Sequence, residues 1–329
     1  MAYFKNHLRK GRKAKSRNYL IYPKRISYIQ FKEVKKLPVF CLNPYKGGFK
    51  GLAFNQRKKP FGSLASRTLG SVYADTAKGA RNGIELAFDT LLKGKVGKKH
   101  RQKVMSKYLN IVDVPPVDGC DLITTIDVGM QDICEKALVD KLKELNASVG
   151  VVVLMEVATG EVKAIVNMMQ GKDGEYYEMR NNAISDMLEP GSTFKPASIM
   201  VALEDGKITP DYVVDTGNGQ MPMHGRGMKR MSLDQPLNLQ IAGEGKPNIR
   251  GPKERSYFSK TALPWMSIGY ETQVPPMNIL TFYNAIANNG VSVRPKFVRA
   301  AVKDGEVVKE FPTEVINPKI CSDKTLSQI

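Results

Sequence analysis

The run Glu189-Pro190-Gly191-Ser192-Thr193-Phe194-Lys195-Pro196 places a hydroxyl and an amine three residues apart at the expected start of a helix. Residues three apart on a helix share a face, so Lys195 can reach the Ser192 hydroxyl. Serine is a poor nucleophile until a neighbouring base takes its proton, and lysine becomes that base when desolvation or nearby cations lower its pKa. The pair therefore suits serine acyl transfer, with the helix N-terminus adding a positive dipole beside the nucleophile. The bland reading of the same residues is a helix N-cap serine followed by an exposed lysine, and a lone S-x-x-K arises easily by chance. Context separates the two. Pro190-Gly191 forces a turn before the serine, and Phe194, Ala197, Val201 and Ala202 recur at helical spacing up to Gly206, a C-cap glycine.

Other elements must hold this corner. Asp127 is a helix cap, and a helix through Asn146 is expected to bury Ile133, Ala137, Leu138, Leu142 and Leu145. Residues 149–157 and 161–168 read as strands joined by the turn Ala158-Thr159-Gly160, with Val162, Ala164 and Val166 alternating inward. A helix over 276–288, stopped by Asn289-Gly290, is followed by a strand at 291–293. Helices interleaved with a hairpin give an α/β arrangement.

At 329 residues and 42% hydrophobic content the chain can bury a core in two domains. No apolar run is long enough to cross a bilayer, and the basic first residues lack the apolar core of a signal peptide, so as written the chain shows neither anchor nor export signal. The net charge of +18 is uneven: residues 1–120 hold 27 Lys+Arg against 6 Asp+Glu. That region suits a solvated or membrane-facing surface; nucleic acid is the weaker fit, since no recognition helix or RNA-binding signature accompanies the charge. Residues 1–36, with 12 Lys+Arg and one acid, read as a basic tail or linker without a core element. Residues 37–118 read as a small irregular β-rich domain, and 113–119 as the boundary with a domain over 119–329. Cys41, Cys120, Cys134 and Cys321 are scattered, with no C-x-x-C pair, so neither metal nor cofactor is expected; Cys134 reads as a small core residue. His224 reads as a loop residue, Trp265 as core, and Glu189 as structural.

The hairpin around Ala158-Thr159-Gly160-Glu161, the run 189–196 with its tetrad Ser192–Lys195, the segment 270–295 and the runs Asn82-Gly83-Ile84-Glu85-Leu86 and Leu92-Lys93-Gly94-Lys95-Val96-Gly97 together resemble the class B penicillin-binding proteins, most of all Bacteroidetes-type cell-division members. The resemblance implies a penicillin-binding transpeptidase (serine β-lactamase-like) fold, here partial, behind a small pedestal domain. It implies that Ser192 attacks the D-Ala-D-Ala stem peptide of peptidoglycan, with Lys195 as general base, and that β-lactams trap the same serine. Cell-division proteins are the implied partners, and the family is anchored in the cytoplasmic membrane with its catalytic domain outside it.

The chain departs from the family pattern at two elements named with S-x-x-K. No S-x-N lies between Gly219 and Gly243; Ser232-Leu233-Asp234 reads as a loop, and Ser16-Arg17-Asn18 fits in letters only. No Lys-Thr-Gly or Lys-Ser-Gly is present: Lys260-Thr261-Ala262 precedes the landmark it should follow, and Lys324-Thr325-Leu326 lacks the glycine. The expected strand would fall beyond the last residue. Two readings follow, a peptidoglycan transpeptidase and a catalytically incomplete interaction protein of the cell-wall or division machinery.

Overall fold

The strand Val162–Gln170 organises the fold. In the computed structural model of the chain, which describes residues 2–15, 19–20, 22, 26–38, 40–42, 44–52, 58–73, 78–105, 107–214, 233–249 and 262–329, this strand pairs antiparallel with Val149–Met155 and, on its other edge, with Tyr176–Tyr177. Val162, Ala164, Ile165 and Val166 are fully buried, because apolar groups on both faces are covered. A strand buried on two faces reads as a continuous apolar run, and the period-2 alternation expected from the sequence catches only half of it.

The helix Val128–Leu145 covers one face. Asp127 caps it by accepting the Met130 N–H at 2.9 Å, and Asn146 closes it in the left-handed conformation, as the sequence predicts. The buried stripe is different: Gln131, Leu138 and Leu142 point inward with Cys134 partly buried beside them, whereas Ile133 and Leu145 are 68% and 64% exposed and Ala137 also faces out. Two contacts set this rotation. Gln131 donates to the Ile165 carbonyl at 2.9 Å and accepts the Ile165 N–H at 2.8 Å, which satisfies a buried strand amide. Gly150 then lets the helix settle on the sheet, since a Cβ there would meet Leu138 and Leu142 at 2.8 Å.

A second sheet, ordered Glu306–Glu310, Val298–Lys303, Asp121–Thr124, meets the first along a backbone seam. Val162 donates its N–H to Lys296 at 2.9 Å, Lys296 donates to Gly160 at 2.8 Å, and the buried Thr125 hydroxyl donates to the carbonyls of Val162 and Lys296 at 2.7 and 2.9 Å. Three segments distant in sequence are thereby stitched together. Glu161 sits on the seam, 6% exposed, among Arg299 (Nε to Oε1 2.9 Å), Lys163 (2.6 Å) and Lys296 (3.2 Å). The Arg299 guanidinium first, then the two ammonium groups, outweigh burial and hold the Glu161 carboxyl down at about 2.

The turn Ala158-Thr159-Gly160 forms as expected, with Gly160 at φ +71°. The helix Pro276–Ala287 ends before Asn289 and Gly290, both at positive φ, and Ser292–Val293 pairs with Val315–Asn317. Trp265 departs from expectation: it is 47% exposed and packs edge-to-face on Tyr270, because the helix Ala262–Ser267 turns Ala262 and Met266 inward instead.

The chain divides into two compact units, 1–59 and 60–329. Within the first, the basic leader holds the helices Ala2–Lys13 and Tyr28–Val34, the latter closed by a reciprocal capping box between Ser27 and Gln30. No residue of that second helix is buried.

Candidate active site

The tetrad folds as a single-turn 3-10 helix, Gly191–Phe194, running directly into the α-helix Lys195–Glu204. Proline followed by glycine explains the entry, since Gly191 stands at φ +56°. The Lys195 N–H donates to the Ser192 carbonyl, so the two residues lie one 3-10 turn apart. Residues three apart in such a turn share a face, which places Ser192 and Lys195 on the same side of the corner. Both side chains are exposed. The opposite side of the turn is buried: Phe194, Ala197 and Met200 enter a cluster with Leu233, Phe282, Ala285 and Ile320. The sequence pattern locates this inward face at Phe194 and Ala197 but misses Met200.

The helix closes as the sequence predicts. Gly206, at φ +62°, donates to Leu203 at 3.0 Å and Lys207 donates to Ala202 at 2.8 Å, the paired bonds of a Schellman motif. Its last turn is tied to the C-terminal helix Asp323–Gln328, where the Glu204 carboxylate accepts from the Ser322 and Thr325 hydroxyls at 2.7 and 2.6 Å. Lys324-Thr325-Leu326 is therefore helical, with Thr325 buried, and no edge strand passes through it.

Four contacts fix the turn that carries Ser192. Gly191 donates its N–H to Gly269 at 3.1 Å, Leu188 and Val274 exchange backbone bonds at 3.2 and 3.0 Å, and Ser198 donates to the Ser267 carbonyl at 2.7 Å. The fourth is Tyr283, whose hydroxyl donates to the Thr193 carbonyl at 2.9 Å. Gly269 has no substitute here: its φ is +85°, and a Cβ would lie 2.1 Å from the Gly191 oxygen. Glu189 accepts the Glu271 N–H at 2.9 Å, a structural role, as expected. Sequence reasoning passes over Tyr283, Ser198 and Gly269; the one signal is Gly269 itself, standing just before the 270–295 landmark.

Tyr283→Phe removes a clamp without touching the reacting groups. Its expected result is a roughly two- to fivefold slower acylation of Ser192, the worth of one hydrogen bond, with a small fall in the thermal midpoint. Stopped-time labelling with a penicillin measures it, and an unchanged rate would remove Tyr283 from the positioning of the turn.

Among the described residues, no group of three or more His, Cys, Asp or Glu side chains is placed to hold a metal ion. His224, Ser232, Lys260, Thr261 and Ser16-Arg17-Asn18 lie outside the described residues.

Comparison with known proteins gives this geometry a family. Residues 150–242 and 224–329 match the family described as penicillin binding protein transpeptidase domain. The two matched segments overlap over 224–242, within the stretch where the sequence lacks S-x-N. The peptidoglycan D,D-transpeptidase FtsI of Escherichia coli K12 is 30% identical over 307 residues, covering 80% of this chain and 51% of that protein. FtsI of Buchnera aphidicola subsp. Baizongia pistaciae is 27% identical over 315 residues, covering 80% of this chain and 53% of its own length. The chain thus spans about half the length of these curated relatives. Among solved structures, apo penicillin binding protein 3 of Mycobacterium tuberculosis has a TM-score of 0.68 at 22% identity, covering 83% of this chain and 67% of that one. The same protein has been solved complexed with aztreonam and with ampicillin. Penicillin binding protein 2X of Streptococcus thermophilus has a TM-score of 0.67 at 21% identity, covering 92% of this chain and 52% of that one. The chain belongs to the penicillin-binding-protein transpeptidase family, in its class B branch, and carries that family's α/β fold.

Proposed function

We propose that this chain performs serine acyl transfer for peptidoglycan cross-linking, with Ser192 as nucleophile and Lys195 as general base. Ser192 Oγ attacks the carbonyl of the D-Ala-D-Ala bond, Lys195 takes the hydroxyl proton and returns it to the departing D-alanine, and the acyl group passes to an amine of a neighbouring strand. A β-lactam opens by the same attack and remains as an ester on Ser192. The placement of Ser192 and Lys195 one 3-10 turn apart, on a turn fixed by four contacts, supports this reading. In the same reading 37–118 is a pedestal and 119–329 the transpeptidase domain, acting outside the cytoplasmic membrane beside cell-division proteins. Labelling with a fluorescent penicillin tests it: the chain takes the label, Ser192→Ala does not, and equal labelling of both overturns the assignment.

One observation favours a second reading. No Ser-x-Asn lies between Gly219 and Gly243, where the family places the second serine; the one Ser-x-Asn is at 16–18. A chain that binds wall or division partners without turnover accommodates this. It predicts that Ser192→Ala leaves partner binding unchanged while the parent chain takes no label.

A further inference from the structure

The ribbon formed by Lys98–Val104 and Lys107–Val114 belongs to no part of the acyl-transfer machinery, and a backbone bridge closes its base. Lys95 and Val117 exchange backbone bonds at 2.8 and 2.9 Å. Glycines let the segments at this base touch: a Cβ on Gly94 would lie 2.2 Å from the Val117 oxygen, and one on Gly119 1.9 Å from the Leu92 oxygen. Beyond the base the strands pair from Lys98↔Val114 to Val104↔Lys107, a reach of roughly 20 Å at about 3.3 Å per residue. Among the described residues no third strand joins them.

A two-stranded ribbon in water is marginal unless something covers it. Here Leu109, Val112 and Val114 are exposed along its length, and the tip residue Met105 is 93% exposed. Its charge is one-sided. Seven Lys+Arg lie in 93–107, and no acid lies between Asp89 and Asp113. The one carboxylate in the ribbon, Asp113, is taken by His100 at 2.7 Å. Strand alternation puts Lys99, Arg101 and Lys103 on a single face, all exposed.

The tip distinguishes among anionic partners. Met105 holds φ +53°, a conformation that a solvated hairpin turn ordinarily gives to Asn or Gly. A methionine there, between Lys103 and Lys107 in the sequence, fits a surface that is apolar within and anionic at its boundary. Single-stranded nucleic acid would instead call for an aromatic platform at that point. We infer that this ribbon docks on an anionic phospholipid bilayer, with Met105 entering the acyl boundary and the lysines among the headgroups. The inference stands independently of whether Ser192 reacts.

Co-sedimentation of the whole chain with phosphatidylcholine vesicles, with and without phosphatidylglycerol, tests it. Binding is expected only to the anionic vesicles and to weaken as salt shortens the reach of the charges. Lys99→Glu/Arg101→Glu/Lys103→Glu is expected to lower partitioning by roughly a hundredfold or more, at about fivefold per cation, and Met105→Ser to lower it further with the charge unchanged. The thermal midpoint should not move, since the substituted side chains are exposed. The basic helix Ala2–Lys13 is the competing source, so Arg9→Glu/Lys10→Glu/Arg12→Glu serves as comparison. Three outcomes would each overturn the inference: no binding of the parent chain to anionic vesicles, binding by the triple ribbon variant equal to the parent, or displacement of the vesicles by an oligonucleotide with Met105→Ser without effect.

Discussion

Glu161→Gln is expected to destabilise the chain by about 2–3 kcal/mol at neutral pH, the largest stability effect of any single side chain on the seam. The carboxylate is nearly buried and is shared by Arg299, Lys163 and Lys296. Removing its charge leaves those cations together without the anion that balances them, and breaking a buried ion cluster from one side exposes the desolvation penalty of the rest. The depression of its pKa from 4.5 to about 2 corresponds to at most about 3 kcal/mol. Part of that is lost to solvent, because Arg299 is half exposed. The sign follows from the direction of the shift. The folded state holds the charged form more tightly than the unfolded chain, so the stabilisation is complete above about pH 4.5 and declines as pH falls toward 2. Denaturant titrations at several pH values check this: the parent should lose stability across that window, and Glu161→Gln should lose correspondingly less.

Lys195→Ala is expected to slow acylation by penicillin about 10²- to 10⁴-fold, the usual contribution of a positioned general base. Lys195→Arg is expected to fall as far. An arginine keeps the positive charge and much of the length, but it cannot give up its proton, so it separates a base from a mere counter-ion. Retention of the parent rate in Lys195→Arg would assign the lysine to electrostatics alone. Because Lys195 lies at the N-terminus of its helix with its side chain exposed, neither substitution opens a cavity, and folding should be preserved.

Much of this site was legible in the residues themselves. The turn before Ser192, the Gly206 stop and the Asp127 cap are local signals, decided within a few residues by backbone geometry, and each formed as read. The face of the long helix was not legible, because Ile133 and Leu145 are apolar yet point outward. What fixes its rotation is the Gln131 bond to Ile165 and the close approach over Gly150, contacts with residues 8 to 34 positions away that no periodicity encodes. Tyr283 and Gly269 were missed for the same reason: their work on the tetrad turn exists only once the chain has folded back on itself. Trp265 misled through its type, since the largest apolar side chain need not be the buried one in a short helix that turns Met266 inward.

Intact-mass spectrometry of the chain after incubation with benzylpenicillin, followed by peptide mapping, tests the central assignment most directly. A single adduct is expected, on the tryptic peptide 181–207, which runs past Lys195 because Pro196 blocks cleavage there. Fragmentation should place it on Ser192, and Ser192→Ala should show none. A mass that never rises, or an adduct located on any other serine, would contradict the account.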